Sequence, residues 1–186
     1  MNVLDQPLPD YSAALVNKAR KIKLLICDVD GVLSDGKVYF GNQDEEYKSF
    51  NIKDGLGITQ LLDNGIQVAI ITGRKSNIVE RRAKELGISF VYQGKMDKQA
   101  AYLAIMEQLK IEKHQVAHIG DDLPDLPIMK QSGIGISVSD GHPFVRQHAD
   151  WITSNIGGNG AVREVCDLLL SAQEKLSQIH AHYLKI

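Results

Sequence analysis

What most constrains this chain is a repeating order of short apolar runs, each followed by a polar segment with helical spacing. The runs are Leu24 to Cys27, Gln67 to Ile71, Ile88 to Tyr92, Val116 to Ile119, Gly133 to Val138 and Trp151-Ile152. Between them Gly57 to Asp63, Ser76 to Leu86, Lys98 to Leu109, Leu123 to Gln131 and Pro143 to His148 carry helical patterns, and Gly87 is placed to stop the second. Buried strands alternating with helices of about 10 to 15 residues predict an α/β fold, a doubly wound parallel sheet with helices on both faces. In such sheets chemistry collects at the carboxyl ends of the strands.

Two segments depart from the alternation. Gly36 to Asn51 has two β-rich arms around the turn-rich Gly41-Asn42-Gln43-Asp44, which predicts a projecting β-hairpin. Its aromatics Tyr39, Phe40, Tyr47 and Phe50 need cover, from a partner subunit or from their own domain. Near the other end, Gly157-Gly158-Asn159-Gly160 precedes a long helix from Ala161, with Val162, Val165, Leu169 and Ala172 on one stripe and Cys166 and Leu170 beside it. The 186 residues suit one domain, 1–186, with the hairpin at about 36–51 as an insertion.

A formal charge of −2 provides no basic field for nucleic acid or an anionic membrane. The apolar runs are too short to span a bilayer, and Met1 to Asp10, polar with Pro7 and Pro9, lacks a signal pattern. Cys27 and Cys166 sit in apolar patterns and read as reduced core thiols, so the cytoplasm is the expected location.

The carboxylates carry the chemistry. Asp28 and Asp30 directly follow the first strand; Asp121 and Asp122 follow Val116 to Gly120, with Asp125 in the next helical turn. Two acidic clusters at strand ends repel unless a hard cation joins them, and all-oxygen ligands suit Mg²⁺. One carboxylate can attack phosphorus and form an aspartyl-phosphate. A carboxyl two residues on can protonate the leaving alkoxide and then activate water. Thr72, Gly73 and Arg74 end the second strand as a phosphate-oxygen cradle, and Lys98 adds positive charge. Taken singly, Asp28 to Gly31 is also a turn with an Asx cap, and Asp122 a helix cap. Five of the six histidines read as surface or capping residues; His118, in the strand before Gly120, could approach the site but reads first as a satisfied strand histidine.

With these residues in order, the chain resembles the phosphatases of the haloacid dehalogenase superfamily. Asp28-Val29-Asp30-Gly31-Val32-Leu33 matches the first signature motif, Thr72 the second, Lys98 the third, and Gly120-Asp121-Asp122 through Asp125 the fourth. The resemblance implies a Rossmann-like haloacid dehalogenase fold with Asp28 as nucleophile and Asp30 as general acid/base. Asp28, the backbone carbonyl of Asp30, and Asp121 would hold Mg²⁺. Thr72, Gly73 and Lys98 would bind the phosphoryl group. Asp122, beside the substrate, and Asp125 would support the metal site and Lys98.

Phe50 to Gly55, Ile71 to Arg74, Tyr92-Gln93-Gly94 and Gly157 to Glu164 further resemble the family of 3-deoxy-D-manno-octulosonate 8-phosphate phosphatases. That resemblance implies a capless homotetramer acting in lipopolysaccharide biosynthesis, with hairpins and C-terminal segments (here 157–186) at subunit interfaces. Asn51, Ile52, Lys53, Asp54, Gly55, Arg74 and Arg82 would meet the sugar acid. Thr59 stands where a relative carries an arginine. The competing readings are a capless phosphatase for another sugar phosphate such as an acylneuraminate 9-phosphate, a phosphoacceptor signalling domain, and an interaction subunit with a vestigial site.

Overall fold

A computed structural model describes residues 11–43 and 45–185. The expectation for Met1 to Asp10 lies outside them, as does Asp44 of the hairpin turn. After a first helix α1 (Ala13–Ala19), the strands in chain order are β1 (Leu24–Cys27), the hairpin pair β2 (Tyr39–Phe40) and β3 (Glu46–Tyr47), β4 (Gln67–Ile71), β5 (Phe90–Tyr92), β6 (Val116–Gly120), β7 (Ile134–Ser137) and β8 (Trp151–Ile152). Six of them form one parallel sheet in the order β5-β4-β1-β6-β7-β8. The chain runs outward from β1 in one direction and returns to continue from β6 in the other. Ligand crevices open at such a reversal.

Successive residues of a strand face opposite sides of the sheet, so β1 feeds two cores. Leu25 and Cys27 join Leu15 and Ala19 of α1, Ile58 and Leu61 of helix α2 (Ile52–Asp63), Val79 of α3 (Asn77–Leu86) and Val165 and Leu169 of α7 (Ala161–Ala172). Leu24 and Ile26 join Ala101, Tyr102 and Ile105 of α4 (Gln99–Leu109) and Ile128 of the short α5 (Leu126–Met129). The remaining helices are α6 (Pro143–His148) and α8 (Leu176–Leu184). The predicted stripe of α7 is buried, and Cys27 and Cys166 are buried free thiols. No helix among the described residues is long and apolar enough to cross a membrane.

One boundary is a correction. The second helix starts at Ile52, not Gly57, with the Asn51 side chain accepting the Lys53 N–H at 2.8 Å. Gly55 and Gly57 lower local helix propensity and hide that first turn from a sequence reading. Gly57 serves close packing, because a Cβ there would press 3.0 Å from Arg163 and Cys166 of α7, whereas one on Gly55 would displace the movable Arg82 guanidinium. The hairpin strands are only two residues each. Phe50 packs back on the core, whereas Tyr39, Phe40 and Tyr47 are 49%, 74% and 57% exposed.

Candidate active site

β1, β4 and β6 are neighbours, so their carboxyl ends bring Asp28, Thr72 and Asp121 together across less than the width of the sheet. Asp28 continues the ladder by donating its N–H to Ile119 at 3.1 Å, and Thr72 does the same to Tyr92 at 2.9 Å. Lys98, the N-cap position of α4, reaches under the strand ends. Its Nζ lies 2.7 Å from Asp28 Oδ1 and 2.7 Å from Asp125 Oδ1. Asp125 ends a 3₁₀ turn, Leu123–Asp125, that Asp122 caps by accepting the Leu123 N–H at 2.8 Å. Asp122 therefore has the capping role its sequence position allowed.

One oxygen each of Asp28, Asp121 and Asp125 lies within 4.8 Å of the others, close enough to share a cation. The three are not equivalent. Asp125 accepts from Lys98, from His118 Nε2 at 3.0 Å, and from the Asp121 and Asp122 N–H groups at 3.2 and 3.4 Å. Four donors saturate a carboxylate. Asp28 and Asp121 are left as the pair with capacity for a metal, and Asp125 as the group that holds Lys98.

The electrostatics separate them in the same way. Burial, and then the charge of Asp125, push Asp28 up to about 6 against the pull of Lys98. Burial, and then Asp28 and Asp125, push Asp121 up to about 8. Burial would also raise Asp125, but His118 and Lys98 outweigh it and hold the group down to about 2. Lys98 is raised although burial opposes its charge, because two carboxylates flank it. A hard divalent cation would relieve the Asp28–Asp121 repulsion directly.

This predicts a pH signature. Asp28 and Asp121 are raised above the unfolded carboxylate value, so the metal-free folded chain binds more protons than the unfolded one between about pH 4 and 8. Their contribution to stability is therefore lost as pH rises through that window. Asp125 acts with the opposite sign, but only at lower pH. The metal-free melting temperature should fall by on the order of 10 °C from pH 5 to 8, less to the extent that solvent screens the half-buried Asp121. An added divalent cation should raise it more at pH 8 than at pH 5. A flat metal-free profile with equal cation effects would contradict the site electrostatics.

Backbone shape lets these groups approach. Gly31 has φ +95°, and a Cβ there would overlap the Asp121 carboxylate. The Gly157-Gly158 segment buttresses the same loop: Gly158 donates to the Val32 carbonyl at 2.8 Å, and a Cβ on Gly157 would overlap the Gly31 carbonyl. A sequence reading takes these glycines as an interruption before α7. They are the backing of the nucleophile loop.

Asp28, Asp30, Thr72, Gly73, Arg74, Lys98, Asp121, Asp122 and Asp125 all line one cleft of about 240 Å³. Asn51, Ile52, Lys53, Asp54, Gly55 and Arg82 do not. Asp54 is buried and caps α7, accepting from Gly160 N–H at 3.3 Å and Arg163 N–H at 2.7 Å. Asn51, Gly55 and Arg82 border a separate small cavity, and Arg82 pairs with Glu85 at 3.1 Å. Ile52 and Lys53 are exposed on the first turn of α2.

Two further side chains stand beside the carboxylates. His118 is a satisfied strand histidine, as expected, with Nδ1 3.1 Å from the Ile26 carbonyl; its other partner is Asp125, which places it beneath the site. Lys48 reaches Asp30 from the hairpin. The only local signal for either was residue type: a histidine in an apolar strand and a cation on an aromatic hairpin.

Comparison with known proteins agrees with this geometry. Residues 52–133 match the haloacid dehalogenase-like hydrolase family. A 3-deoxy-D-manno-octulosonate 8-phosphate phosphatase of Escherichia coli (strain K12) is 52% identical over 167 residues, 90% of this chain and 89% of that protein. The crystal structure of a Yersinia pestis phosphatase of the same name superposes with a TM-score of 0.89 at 51% identity, covering 89% of this chain and 90% of that one. A Moraxella catarrhalis phosphatase of that name, in complex with magnesium, phosphate and a KDO molecule, gives a TM-score of 0.91 at 47% identity, covering 93% of this chain and 99% of that one. With half the residues identical across nearly the whole length, and with the acidic strand-end site in place, this chain belongs to the 3-deoxy-D-manno-octulosonate 8-phosphate phosphatase family of haloacid dehalogenase-like hydrolases.

Proposed function

We propose that the chain hydrolyses 3-deoxy-D-manno-octulosonate 8-phosphate to the free sugar acid and phosphate, as a step in lipopolysaccharide biosynthesis. The observation that carries the chemistry is the buried Asp28 carboxylate, 2.7 Å from Lys98 and within 4.8 Å of Asp121. The substrate comes from the names of the relatives.

In this reading Asp28 attacks phosphorus and forms an aspartyl-phosphate as the ester P–O bond breaks. Asp30 gives a proton to the leaving sugar oxygen, then accepts one from the water that attacks the intermediate. Lys98 keeps Asp28 oriented and largely ionised near neutral pH; Thr72, Gly73 and Arg74 line the place of the phosphoryl oxygens. Asp28, Asp121 and the Asp30 backbone carbonyl would hold Mg²⁺, which when bound offsets the phosphate charge that repels a carboxylate nucleophile.

A cleft of about 240 Å³ holds a phosphoryl group and the first atoms of the sugar, below the size of pockets that enclose a whole small ligand. Further cover is required. The exposed Tyr39, Phe40 and Tyr47 of the hairpin support a homotetramer in which neighbouring subunits, with their hairpins and 157–186 segments, supply it. Asn51, Ile52, Lys53, Asp54, Gly55 and Arg82, outside the cleft of their own subunit, are proposed to meet the sugar acid only in that closed assembly. Action in the cytoplasm completes the reading.

The test is phosphate release from a panel of esters with Mg²⁺ or with chelator, alongside solution mass by light scattering. The octulosonate phosphate should be turned over at least tenfold faster than unrelated esters, and chelator should abolish turnover. Preference for an acylneuraminate 9-phosphate would replace the substrate and keep the chemistry. A long-lived phospho-aspartate without turnover would establish the signalling reading instead.

A further inference from the structure

The hairpin carries one residue whose burial is out of keeping with its position. Lys48 follows β3 on a segment whose neighbours Tyr47 and Ser49 are exposed, yet its side chain has 0% exposure. Its Nζ contacts Asp30 Oδ1 and lies 3.6 Å from Glu46 Oε1. Side chains two apart on an extended segment share a face, so Glu46 and Lys48 turn inward together while Tyr47 turns out. Arg74 closes the group from the end of β4, with Nε 3.8 Å from Asp30 Oδ2 and a terminal nitrogen 3.9 Å from Glu46.

A surface ion pair would leave the lysine solvated and would contribute little. Full burial of its stem and ammonium costs rotamer entropy and desolvation, so the arrangement persists only because Asp30 and Glu46 offset it. The consequence falls on Asp30. Its Oδ1 is held by Lys48, with Ser34 Oγ at 3.5 Å, while among the described residues its Oδ2 has no hydrogen-bond partner. Oδ2 is buried 3.8 Å from Arg74 Nε, so contacts at both oxygens limit the rotation of the carboxyl.

We propose that Lys48 is a positioning residue for the general acid: it holds the Asp30 carboxyl in the orientation from which it protonates the leaving sugar oxygen, and it thereby makes the hairpin a part of the catalytic apparatus of its own subunit. This rests on the reading of Asp30 as acid/base given above. In the step concerned, the bond from Asp28 oxygen to phosphorus forms, the phosphorus–sugar-oxygen bond breaks, and the Asp30 proton passes to that oxygen.

The experiment compares kcat/KM for the alkyl ester (the octulosonate phosphate) with kcat/KM for p-nitrophenyl phosphate, whose leaving group departs without a proton. Parent, Asp30→Asn, Lys48→Met and Lys48→Arg chains are measured with Mg²⁺ and their melting temperatures compared. Loss of a general acid is worth about 10²–10⁴-fold, and its misplacement by an ångström about 10²-fold. Lys48→Met should therefore lose roughly 30- to 100-fold on the alkyl ester, with a loss on the aryl ester at least about tenfold smaller. Lys48→Arg should recover part of the difference. A parent without turnover would overturn the proposed function, and an Asp30→Asn chain insensitive to the leaving group would overturn the acid assignment. If Asp30→Asn shows the expected sensitivity but Lys48→Met loses equally on both esters, or on neither, the Lys48 proposal is wrong.

Discussion

Replacing Asp28 by Asn should remove turnover almost entirely, by on the order of 10⁴-fold or more in kcat, while leaving the fold intact. The amide matches the carboxylate in shape but cannot form the acyl phosphate, so the two-step route is closed. Stability should move little, because Asp28 is a cost to the metal-free fold: burial and the Asp125 charge both oppose its ionised form. Lys98 keeps its second partner in Asp125, so no buried cation is abandoned. The melting temperature should stay within about 3 °C of the parent. Phosphate release and calorimetry on the same samples check both halves. Activity within tenfold of the parent in a folded chain would reject Asp28 as nucleophile.

Lys98→Met should damage both stability and activity. The ammonium is buried between two carboxylates, each 2.7 Å away. Removing one partner from a buried ionic cluster costs about 3–5 kcal/mol, because the charge left behind has neither water nor a counter-ion. For a chain of this size that is a fall of roughly 10 °C in melting temperature. Asp125 retains His118 and two backbone donors, so the uncompensated charge falls mainly on Asp28, which should be raised further. Protonating that carboxylate relieves the defect, so the deficit against the parent should shrink as pH falls from 7 to 5. Activity should drop about 10²–10³-fold, the scale for losing one preorganised electrostatic contact. A variant as stable as the parent at pH 7 would show that Lys98 does not neutralise the pair.

The same cluster marks the limit of what could be read from sequence. Asp28, Thr72 and Asp121 were legible because each follows a buried strand directly, and strand ends are local features. Lys98 was legible as a nearby cation, but that it stands between Asp28 and Asp125 depends on chain 27 and 70 residues away. His118 looked like an ordinary strand histidine because nothing within its own strand identifies Asp125 as its partner. Asp54 is named for the sugar acid only through the family resemblance of its stretch, and nothing local to it shows a second partner. Its use as the cap of α7 depends on where a helix more than 100 residues later begins.

The sequence by itself determined the alternation of strand and helix and the carboxylates at strand ends. Burial of a sheet on both faces demands apolar runs of a particular length, and the first polar residue after such a run must emerge at the rim. Tertiary structure decided which charges meet, where α2 begins despite its glycines, and which hairpin lysine lies against Asp30. Those outcomes depend on through-space neutralisation and close packing between distant segments, and neither leaves a periodic trace in the local chain.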